Sequence, residues 1–377
     1  MLLLVLASAR PPATTSDDRP NLGSPKALAS GVALYHLTDQ ALLDPPAPVS
    51  IWILLVDPAS VDLRAVLANG EIMDTETVGD MAVRHGAVAA VNAGFFLRNG
   101  DPSGIYKIGG QLVSDTRRSR GAVGIIRGGP APRLVFGRVS ATMALHVRRR
   151  ARPDASVPIA GVDTTRLLGR LMLFTPAYHA HTDTAPGGLE WVVDGDPLRV
   201  TGQPRSEGKT PIPKSGFVLS FGGRSPPEPL ASLRPGSQVD LETQYTPADG
   251  PPDIWEQAHD IVGGAGLLAR DGQFAENWTA ESFGAGFVES RHPRTMIGTR
   301  PDGSVWLVTI DGRQPELSAG MTLVELRELA RGLGLTNALN LDGGGSTTMW
   351  AGGTIVNSPS DAAGPRKVSD ALLVMTR

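Results

Sequence analysis

The chain of 377 residues contains no cysteine, which excludes disulfide bonds, thiolate metal sites and thiol nucleophiles. It also carries little net charge, formally −3 at pH 7. No excess of positive charge therefore marks a nucleic-acid-binding protein or a polybasic membrane-binding patch. Beyond the N-terminus, no stretch reaches the roughly 18 consecutive apolar residues of a membrane-spanning helix. We expect neither a nucleic-acid partner nor an integral membrane segment.

Glycine and proline are abundant, with 45 and 31 residues. Both residues are typical of turns, so the composition predicts many turns and short strands rather than a helical bundle. Apolar residues make up 41% of the chain, which is enough to form a sizeable core.

The N-terminus has features of an exported protein. Leu2 to Ala7 is apolar, and the small residues Ser8 and Ala9 follow. This pattern is typical of the end of a signal-peptide core with its cleavage region. Arg10 to Pro20 is polar and proline-rich, like a linker. We therefore interpret residues 1–30 as a truncated signal peptide and linker, and expect the protein to be secreted or held in the cell envelope. The alternative is an apolar terminus without a targeting role.

The rest of the chain, residues 31–377, is predicted to form the main domain. Its middle part, 148–252, is rich in Pro, Gly and short strands, and could be a β-rich insertion, a subdomain or a wall of the same sheet system. In the last part, Val305 to Ile310 predicts a strand, Ser318 to Gly334 a helix and Ala338 to Leu341 a second strand. Helical spacing of leucines and a T-x-x-E capping box support the helix.

This order of elements predicts a βαβ crossover, in which the two strands run parallel in one sheet. Asp311 follows the first strand and Asp342 follows the second. Because parallel strands end at the same edge of a sheet, both carboxylates are expected at the edge where α/β folds bind ligands.

Asp342 also begins a loop that could seat an oxyanion, a sugar phosphate or a ring hydroxyl. Glycine permits close backbone approach, exposed N–H groups can cradle an anion, and hydroxyls add donors. The loop is not a P-loop, because no lysine follows the glycines. The alternative is a tight turn capped by the aspartate. The presence of Asp311 at the same edge favours ligand binding, and the candidate residues are Gly343, Gly344, Gly345, Ser346 and Thr347.

Six stretches of the sequence form a distinctive set: VNAGFF (Val91 to Phe96), RHPRT (Arg291 to Thr295), TIDGR (Thr309 to Arg313), SAGMTLVEL (Ser318 to Leu326), NLDGGGSTTM (Asn340 to Met349) and VNSPSD (Val356 to Asp361). Together they resemble the phosphodiester glycosidase family. The resemblance implies an α/β (α+β) fold of mixed β-sheets with packed helices, in which the middle segment is β-rich. It also implies a hydrolase that cleaves a glycosyl-1-phosphodiester or a related cell-surface glycan linkage, as in exopolysaccharide metabolism.

Asp342 and Asp311 are the candidate catalytic carboxylates. Glycoside hydrolysis usually needs one carboxyl group to protonate the leaving oxygen and a second to act as base or nucleophile. A phosphate leaves as a stable anion and needs less protonation, so one carboxylate could suffice. The alternative for both residues is loop anchoring through hydrogen bonds to backbone N–H groups.

Three arginines, Arg294, Arg313 and Arg366, are candidates for binding phosphate or acidic sugar oxygens, because a guanidinium matches such groups bidentately. Structural ion pairs are the alternative. Asn92 could hydrogen-bond the substrate or shape the turn that follows it. His292 could contact the substrate as a general acid or base, or could be structural.

The sequence predicts no cofactor. His179 and His181 lack a third ligand for zinc. A divalent cation would suit the oxygens of Asp311, Asp342 and Asn92, but no ligand loop is recognisable, so none is predicted. The expected partner is a sugar phosphodiester or polysaccharide, and the sequence does not indicate an oligomeric state. Two other functions stay open: a non-catalytic polysaccharide-binding or assembly protein of the envelope, and a phosphodiesterase that cleaves the P–O bond.

Overall fold

The computed structural model describes residues 22–114, 116–149 and 153–377. Most of the predicted signal peptide and linker, 1–30, lies outside the described residues. Within them, the strands are β1 (Lys26–Ala29), β2 (Val32–Asp39), β3 (Val49–Val56), β4 (Val61–Leu67), β5 (Ala89–Asn92), β6 (Tyr106–Ile108), β7 (Gln111–Ser114), β8 (Thr116–Ile126), β9 (Arg133–Val147), β10 (Ala155–Ile159), β11 (Gly161–Val162), β12 (Leu171–Phe174), β13 (Leu189–Asp194), β14 (Arg199–Val200), β15 (Phe217–Phe221), β16 (Val239–Pro247), β17 (Asp260–Gly263), β18 (Leu267–Arg270), β19 (Gln273–Phe274), β20 (Arg294–Thr299), β21 (Val305–Ile310), β22 (Asn337–Asn340), β23 (Met349–Ala351), β24 (Thr354–Ile355) and β25 (Asp370–Thr376). The helices are α1 (Val78–His85), α2 (Asp253–Glu256), α3 (Ala285–Glu289) and α4 (Leu323–Gly332).

The strands form four sheets. Eight strands make the largest, in the order β1-β2-β3-β21-β20-β22-β18-β19. A second sheet has the order β10-β9-β8-β17-β6-β7, with β16 also paired to β9. The third is β11-β12-β15-β13-β14 and the fourth is β24-β23-β5-β25-β4. With few helices, and with β11 and β12 paired in parallel among antiparallel neighbours, the fold is a β-rich α+β arrangement of mixed sheets. This confirms the predicted fold class.

The largest sheet is buried on both faces. On one face, Leu54 and Leu307 pack in a core shared with Leu63 and Val91 of the fourth sheet. On the other face, Val308 packs in a second core with residues of α4. Burial of every residue of β21 explains why its sequence is a continuous apolar run rather than an alternation.

Helix α4 has the predicted capping box. The Thr322 hydroxyl accepts a hydrogen bond from the Glu325 N–H at 3.1 Å, and the Glu325 carboxylate accepts one from the Thr322 N–H at 2.8 Å. The helix starts at Leu323, later than the predicted Ser318. The preceding residues are not helical because Gly320 has a positive φ of 83° and Met321 exchanges two backbone hydrogen bonds with His292.

The predicted βαβ crossover is correct in direction and wrong in adjacency. β20 lies between β21 and β22 and is antiparallel to both, so β21 and β22 run the same way without pairing. The reason is that β20 and β21 first form an antiparallel hairpin, and α4 then carries the chain across β20. Both strands still end at one edge of the sheet, where Asp311 and Asp342 follow them.

The middle segment is β-rich, as predicted. Residues 161–221 hold all five strands of the third sheet. That sheet shares one apolar core with the second sheet, in which Trp191 and Leu219 pack with Leu145. The division of the chain into domains stays a prediction. Among the described helices, none has the length and apolar character needed to cross a lipid bilayer.

Candidate active site

Two sheets meet where β5 and β22 end. The main-chain N–H of Asp342 donates to the oxygen of Ala93 at 2.9 Å. The side-chain amide of Asn92 donates to the main-chain oxygen of Asp342 at 2.7 Å. The VNAGFF and LDGGGSTT segments are therefore joined on both sides of Asp342.

Asn92 is fully buried and engaged by the protein. Its side-chain oxygen accepts hydrogen bonds from the Thr295 hydroxyl at 2.7 Å and from the Thr348 N–H at 3.1 Å. Asn92 thus connects three of the six sequence motifs. These contacts give Asn92 a structural role, which was the alternative to substrate binding. Its predicted contact with substrate stays a prediction.

Asp342 is half-buried, and burial raises the pKa of its carboxyl to about 6. The charge of the nearby Asp370 carboxylate contributes to this rise. The N–H of Gly343, which donates to Asp342 Oδ1 at 2.8 Å, and the neighbouring Ser346 hydroxyl lower it. A carboxyl group with a pKa near neutrality can both accept and donate a proton at working pH.

Asp370, at the start of β25, was missed by the sequence reasoning. It is buried, accepts a hydrogen bond from the Gly94 N–H at 2.5 Å and is bonded to the Ser369 hydroxyl. Burial raises the pKa of Asp370 to about 6. The only local signal was a polar Ser-Asp pair before an apolar strand, and that pair is equally typical of a turn. The antiparallel pairing of β25 with β5, which brings Asp370 to Asp342, is a long-range contact.

Asp311 lies at the same edge with its carboxylate bound by the protein. Oδ1 accepts from the Asn357 side chain at 3.2 Å and from the Ser358 N–H at 2.8 Å, and Oδ2 accepts from the Ser50 hydroxyl at 2.8 Å. Burial still raises the pKa of Asp311. Asn357 also donates to the Thr347 oxygen at 3.1 Å. Asp311 therefore anchors the far end of the glycine loop, and its predicted catalytic role remains a prediction.

The glycine loop is held in shape by its own backbone. The N–H of Gly343 binds the Asp342 carboxylate, the N–H of Gly344 donates to the Pro293 oxygen at 2.8 Å, and the N–H of Ser346 donates to the Gly343 oxygen at 3.2 Å. These three N–H groups are therefore occupied by the protein, and the predicted contact of the glycine loop with a ligand stays a prediction. The buried hydroxyl of Thr347, in contrast, has no hydrogen-bond partner among the residues that the structure describes, and that of Ser346 lies beside the Asp342 carboxylate.

Two arginines contact the glycines of the loop closely. A methyl group at Gly344 would lie 2.9 Å from Arg313 Nη2, and one at Gly345 would overlap the guanidinium of Arg366. Arg366 is paired bidentately with Asp361, at 2.8 and 3.0 Å. An alanine at either position would have to displace the end of an arginine side chain, and at Gly344 it would also have to adopt a φ of 61°.

Arg313 lies beside the glycine loop, and its predicted contact with an anion stays a prediction. It is exposed, and its φ of 60° lies in the left-handed region that non-glycine residues rarely adopt. Its Nη2 lies 3.3 Å from His292 Nδ1. No ion pair between described residues includes Arg313. Burial, together with the charges of Arg294 and Arg313, lowers the pKa of His292, so this ring is neutral at pH 7.

Arg294 faces inward. Its Nε donates to the Met321 oxygen at 2.9 Å, and its Nη2 donates to the oxygens of Phe287 and Ser290 at 2.9 and 3.2 Å. Burial lowers the pKa of Arg294 to about 10, and the charge of Arg313 adds to this effect. Arg294 holds the α3 segment, and its predicted phosphate contact is untested. Within the described ranges, no cluster of three or more His, Asp or Glu side chains is arranged to hold a metal ion.

Fold and site together describe a β-rich α+β protein with a titratable carboxylate beside an arginine-contacted glycine loop. Residues 187–375 match the family described as phosphodiester glycosidase. This match covers half of the chain, and the chain belongs to that family of hydrolases.

Relatives of known sequence match in a shorter segment. A "SPbeta prophage-derived uncharacterized protein YomE" of Bacillus subtilis (strain 168) is 39% identical over 84 residues, which is 22% of this chain and 13% of that protein. The mouse N-acetylglucosamine-1-phosphodiester alpha-N-acetylglucosaminidase is 36% identical over 94 residues, which is 23% of this chain and 18% of that protein. The matches thus span less than a fifth of either relative.

Solved structures share the fold over most of the chain. A hypothetical protein from Synechocystis superposes with a TM-score of 0.75 at 24% identity, covering 92% of this chain and 62% of that one. A Burkholderia pseudomallei K96243 protein, inferred to be exported, gives a TM-score of 0.75 at 23% identity over 88% of this chain and 74% of that one. At these identities the likeness extends to the fold alone.

Proposed function

We propose that this protein hydrolyses the glycosidic bond of a glycosyl-1-phosphodiester or of a related cell-surface glycan linkage. The observation that carries the proposal is the position of Asp342 at the start of the loop that Arg313 contacts. Burial raises the pKa of the Asp342 carboxyl to about 6. A glycosyl phosphodiester suits both groups. Its anomeric carbon is open to a carboxylate or to a water that a carboxylate activates, and its phosphate matches a guanidinium.

In this mechanism the exposed guanidinium of Arg313 binds the phosphate oxygens. Asp342, mostly ionised at pH 7, acts at the anomeric carbon as nucleophile or as base for water. The glycosidic C–O bond breaks, the electron pair leaves with the phosphate, and water supplies the new hydroxyl of the sugar. The phosphate departs as a stable anion, so a second carboxyl group is not required as general acid.

We further propose that the reaction takes place outside the cytoplasm. The predicted signal peptide at the N-terminus supports this location. A fold relative from Burkholderia pseudomallei that is inferred to be exported is consistent with it.

The test is hydrolysis of UDP-N-acetylglucosamine and of a nitrophenyl-phospho-sugar by wild type and by Asp342→Asn. The variant is expected to lose at least about 100-fold in kcat, the usual contribution of a positioned acid–base group. Asp253→Asn is the matched control, because this exposed aspartate of α2 makes no side-chain contact among those described. Full activity of Asp342→Asn would remove Asp342 from the mechanism.

The bond that breaks can be identified in oxygen-18 water. Cleavage of C–O places the label in the released sugar. Label in the phosphate would show cleavage of P–O, and the protein would then be a phosphodiesterase that uses the same anion-binding groups.

A non-catalytic glycan-binding role is the second candidate, and one observation favours it. Asp311 is bound on both oxygens and Asp370 is buried, so of these three carboxylates only Asp342 is partly accessible. Calorimetric binding of an acidic glycan, with no product after prolonged incubation, would support this role instead.

A further inference from the structure

Three phenyl rings form a continuous row that begins at the candidate active site. Phe95 follows Gly94, whose N–H binds the Asp370 carboxylate. The ring centroid of Phe95 lies 6.0 Å from that of Phe287, which lies 4.9 Å from that of Phe283. All three rings are half-buried, so each keeps some area accessible to a ligand. The apolar face of a sugar ring can pack on such a row.

A guanidinium group lies over each of the last two rings. The Arg294 guanidinium is 5.1 Å from the Phe287 centroid, and the Arg120 guanidinium is 5.4 Å from the Phe283 centroid. The two arginines differ in how their donors are used. Arg294 donates to three main-chain oxygens. Arg120 has no ion pair or hydrogen bond with any part of the chain that the structure describes, and its Nε is buried without a partner.

Glu281 binds the main chain next to Arg120, and its carboxylate is not paired with Arg120 among the described contacts. Glu281 accepts from the N–H of Gly121, the residue after Arg120, at 2.8 Å, and from the N–H groups of Gly266 and Leu267 at 3.1 and 2.9 Å. Both of its oxygens are thus occupied by the main chain. Burying a guanidinium whose N–H donors are unpaired costs free energy unless an anion binds to it.

Arg120 lies on the same side of the fold as the glycine loop. The Gly121 oxygen accepts from the Gly264 N–H at 2.8 Å, and the next N–H, that of Ala265, donates to the Asn340 oxygen at 3.0 Å. Asn340 precedes Asp342 by two residues. The row of phenyl rings therefore runs between the carboxylates of the candidate active site and Arg120.

We propose that Arg120 forms a second anion-binding position, and that the leaving part of the substrate packs on the phenyl rings and carries a further acidic group to Arg120. The assignment of Arg120 to the leaving part of the substrate rests on the proposed function. The anion-binding position itself rests on the geometry. The ligand class is a sugar or sugar phosphate with a second negative charge, either a phosphate or a carboxylate. The substrate would then be an acidic glycan phosphodiester rather than a neutral one.

The kinetic test compares two kinds of N-acetylglucosamine-1-phosphodiester: one whose leaving sugar is glucose, which is neutral, and one whose leaving sugar carries a carboxylate or a second phosphate. Arg120→Gln is expected to lower kcat/KM for the diester with the acidic leaving sugar about tenfold through KM, the usual effect of losing one charge-assisted contact. The diester of glucose should be unaffected, and Arg120→Lys should restore part of the loss. The exposed Arg133→Gln on β9 is the control. An equal loss on both substrates, or no loss on either, would overturn the proposal.

Binding separates this proposal from the proposed function. Calorimetry of wild type should show glucose 6-phosphate binding about tenfold more tightly than glucose if Arg120 takes a phosphate, or glucuronate binding about tenfold more tightly than glucose if it takes a carboxylate. Either preference should disappear in Arg120→Gln. If the preference is present without any hydrolysis, the proposed function fails and the second anion-binding position stands. If neither preference exists, the position is refuted whatever the catalytic result.

Discussion

The side-chain amide of Asn92 holds the main-chain oxygen of Asp342 at 2.7 Å across 250 residues of sequence. The same side chain accepts from the Thr295 hydroxyl and the Thr348 N–H. A buried amide with three partners in three segments fixes the position of the candidate catalytic carboxylate.

Replacing Asn92 by alanine is expected to lower the free energy of unfolding by about 2–4 kcal/mol, because several buried polar groups lose their partner. Urea denaturation measures this change. Asn99→Ala is the control, since Asn99 is exposed and should change stability by less than about 0.5 kcal/mol. Equal midpoints for Asn92→Ala and wild type would show that the amide does not hold the site together.

The paired carboxylates predict a pH effect. Burial and, to a smaller extent, the charge of Asp370 raise the pKa of Asp342 to about 6. If ionised Asp342 is the active form, activity rises with pH through this pKa. Asp370→Asn removes the charge while its side-chain oxygen can still accept from Gly94. The pKa of Asp342 should then fall, and the acid limb of the kcat/KM profile should move to lower pH.

The measurement is the pH dependence of kcat/KM between about pH 4 and 8. Asp253→Asn is the comparison, because Asp253 is exposed on α2 and makes no side-chain contact among those described. A limb that stays in place in Asp370→Asn, or moves to higher pH, would contradict electrostatic coupling of the two carboxylates.

Sequence reasoning located this edge because its signals are local. Strands β21 and β22, helix α4 with its capping box, and the loop after Asp342 each follow from neighbouring residues. The edge shared by Asp311 and Asp342 needed only the direction of two strands. That direction was correct, although β20 separates them.

The roles of individual side chains could not be predicted from the sequence in the same way. Asp311 and Arg294 look alike in sequence to free catalytic groups, but both are held by partners distant in the chain, such as Ser50 and Phe287. Asp370 reaches Asp342 only through the pairing of β25 with β5. Hydrogen bonds between residues hundreds of positions apart leave no local pattern, so a single sequence cannot reveal them.

Variants of two glycines should separate the effect of backbone strain on stability from the effect of site geometry on activity. Gly344 has a φ of 61° and lies against the Arg313 guanidinium, whereas Gly86, after α1, has a φ of 66° and open space around it. Alanine at either position should cost about 1 kcal/mol or more in stability through the left-handed backbone. Only Gly344→Ala should also lower activity, because its methyl group displaces Arg313. Unfolding and kcat/KM measured on both variants check this, and equal activities would show that the contact does not matter.

Arg313 gives the most direct prediction about the anion. It forms no ion pair with another described residue, so Arg313→Gln should leave the unfolding free energy within about 0.5 kcal/mol of wild type. The same variant should raise KM for a glycosyl phosphodiester about tenfold or more, since a charge-assisted contact to phosphate is lost. Inorganic phosphate should inhibit wild type competitively and the variant much more weakly.

Arg313→Lys should recover only part of the affinity, because an ammonium group cannot bind two phosphate oxygens bidentately. Arg366→Gln is the contrasting variant, because Arg366, unlike Arg313, forms a bidentate ion pair, with Asp361. This substitution leaves the Asp361 carboxylate unpaired beside the loop. Phosphate inhibition that is identical in wild type and Arg313→Gln would place the anion elsewhere.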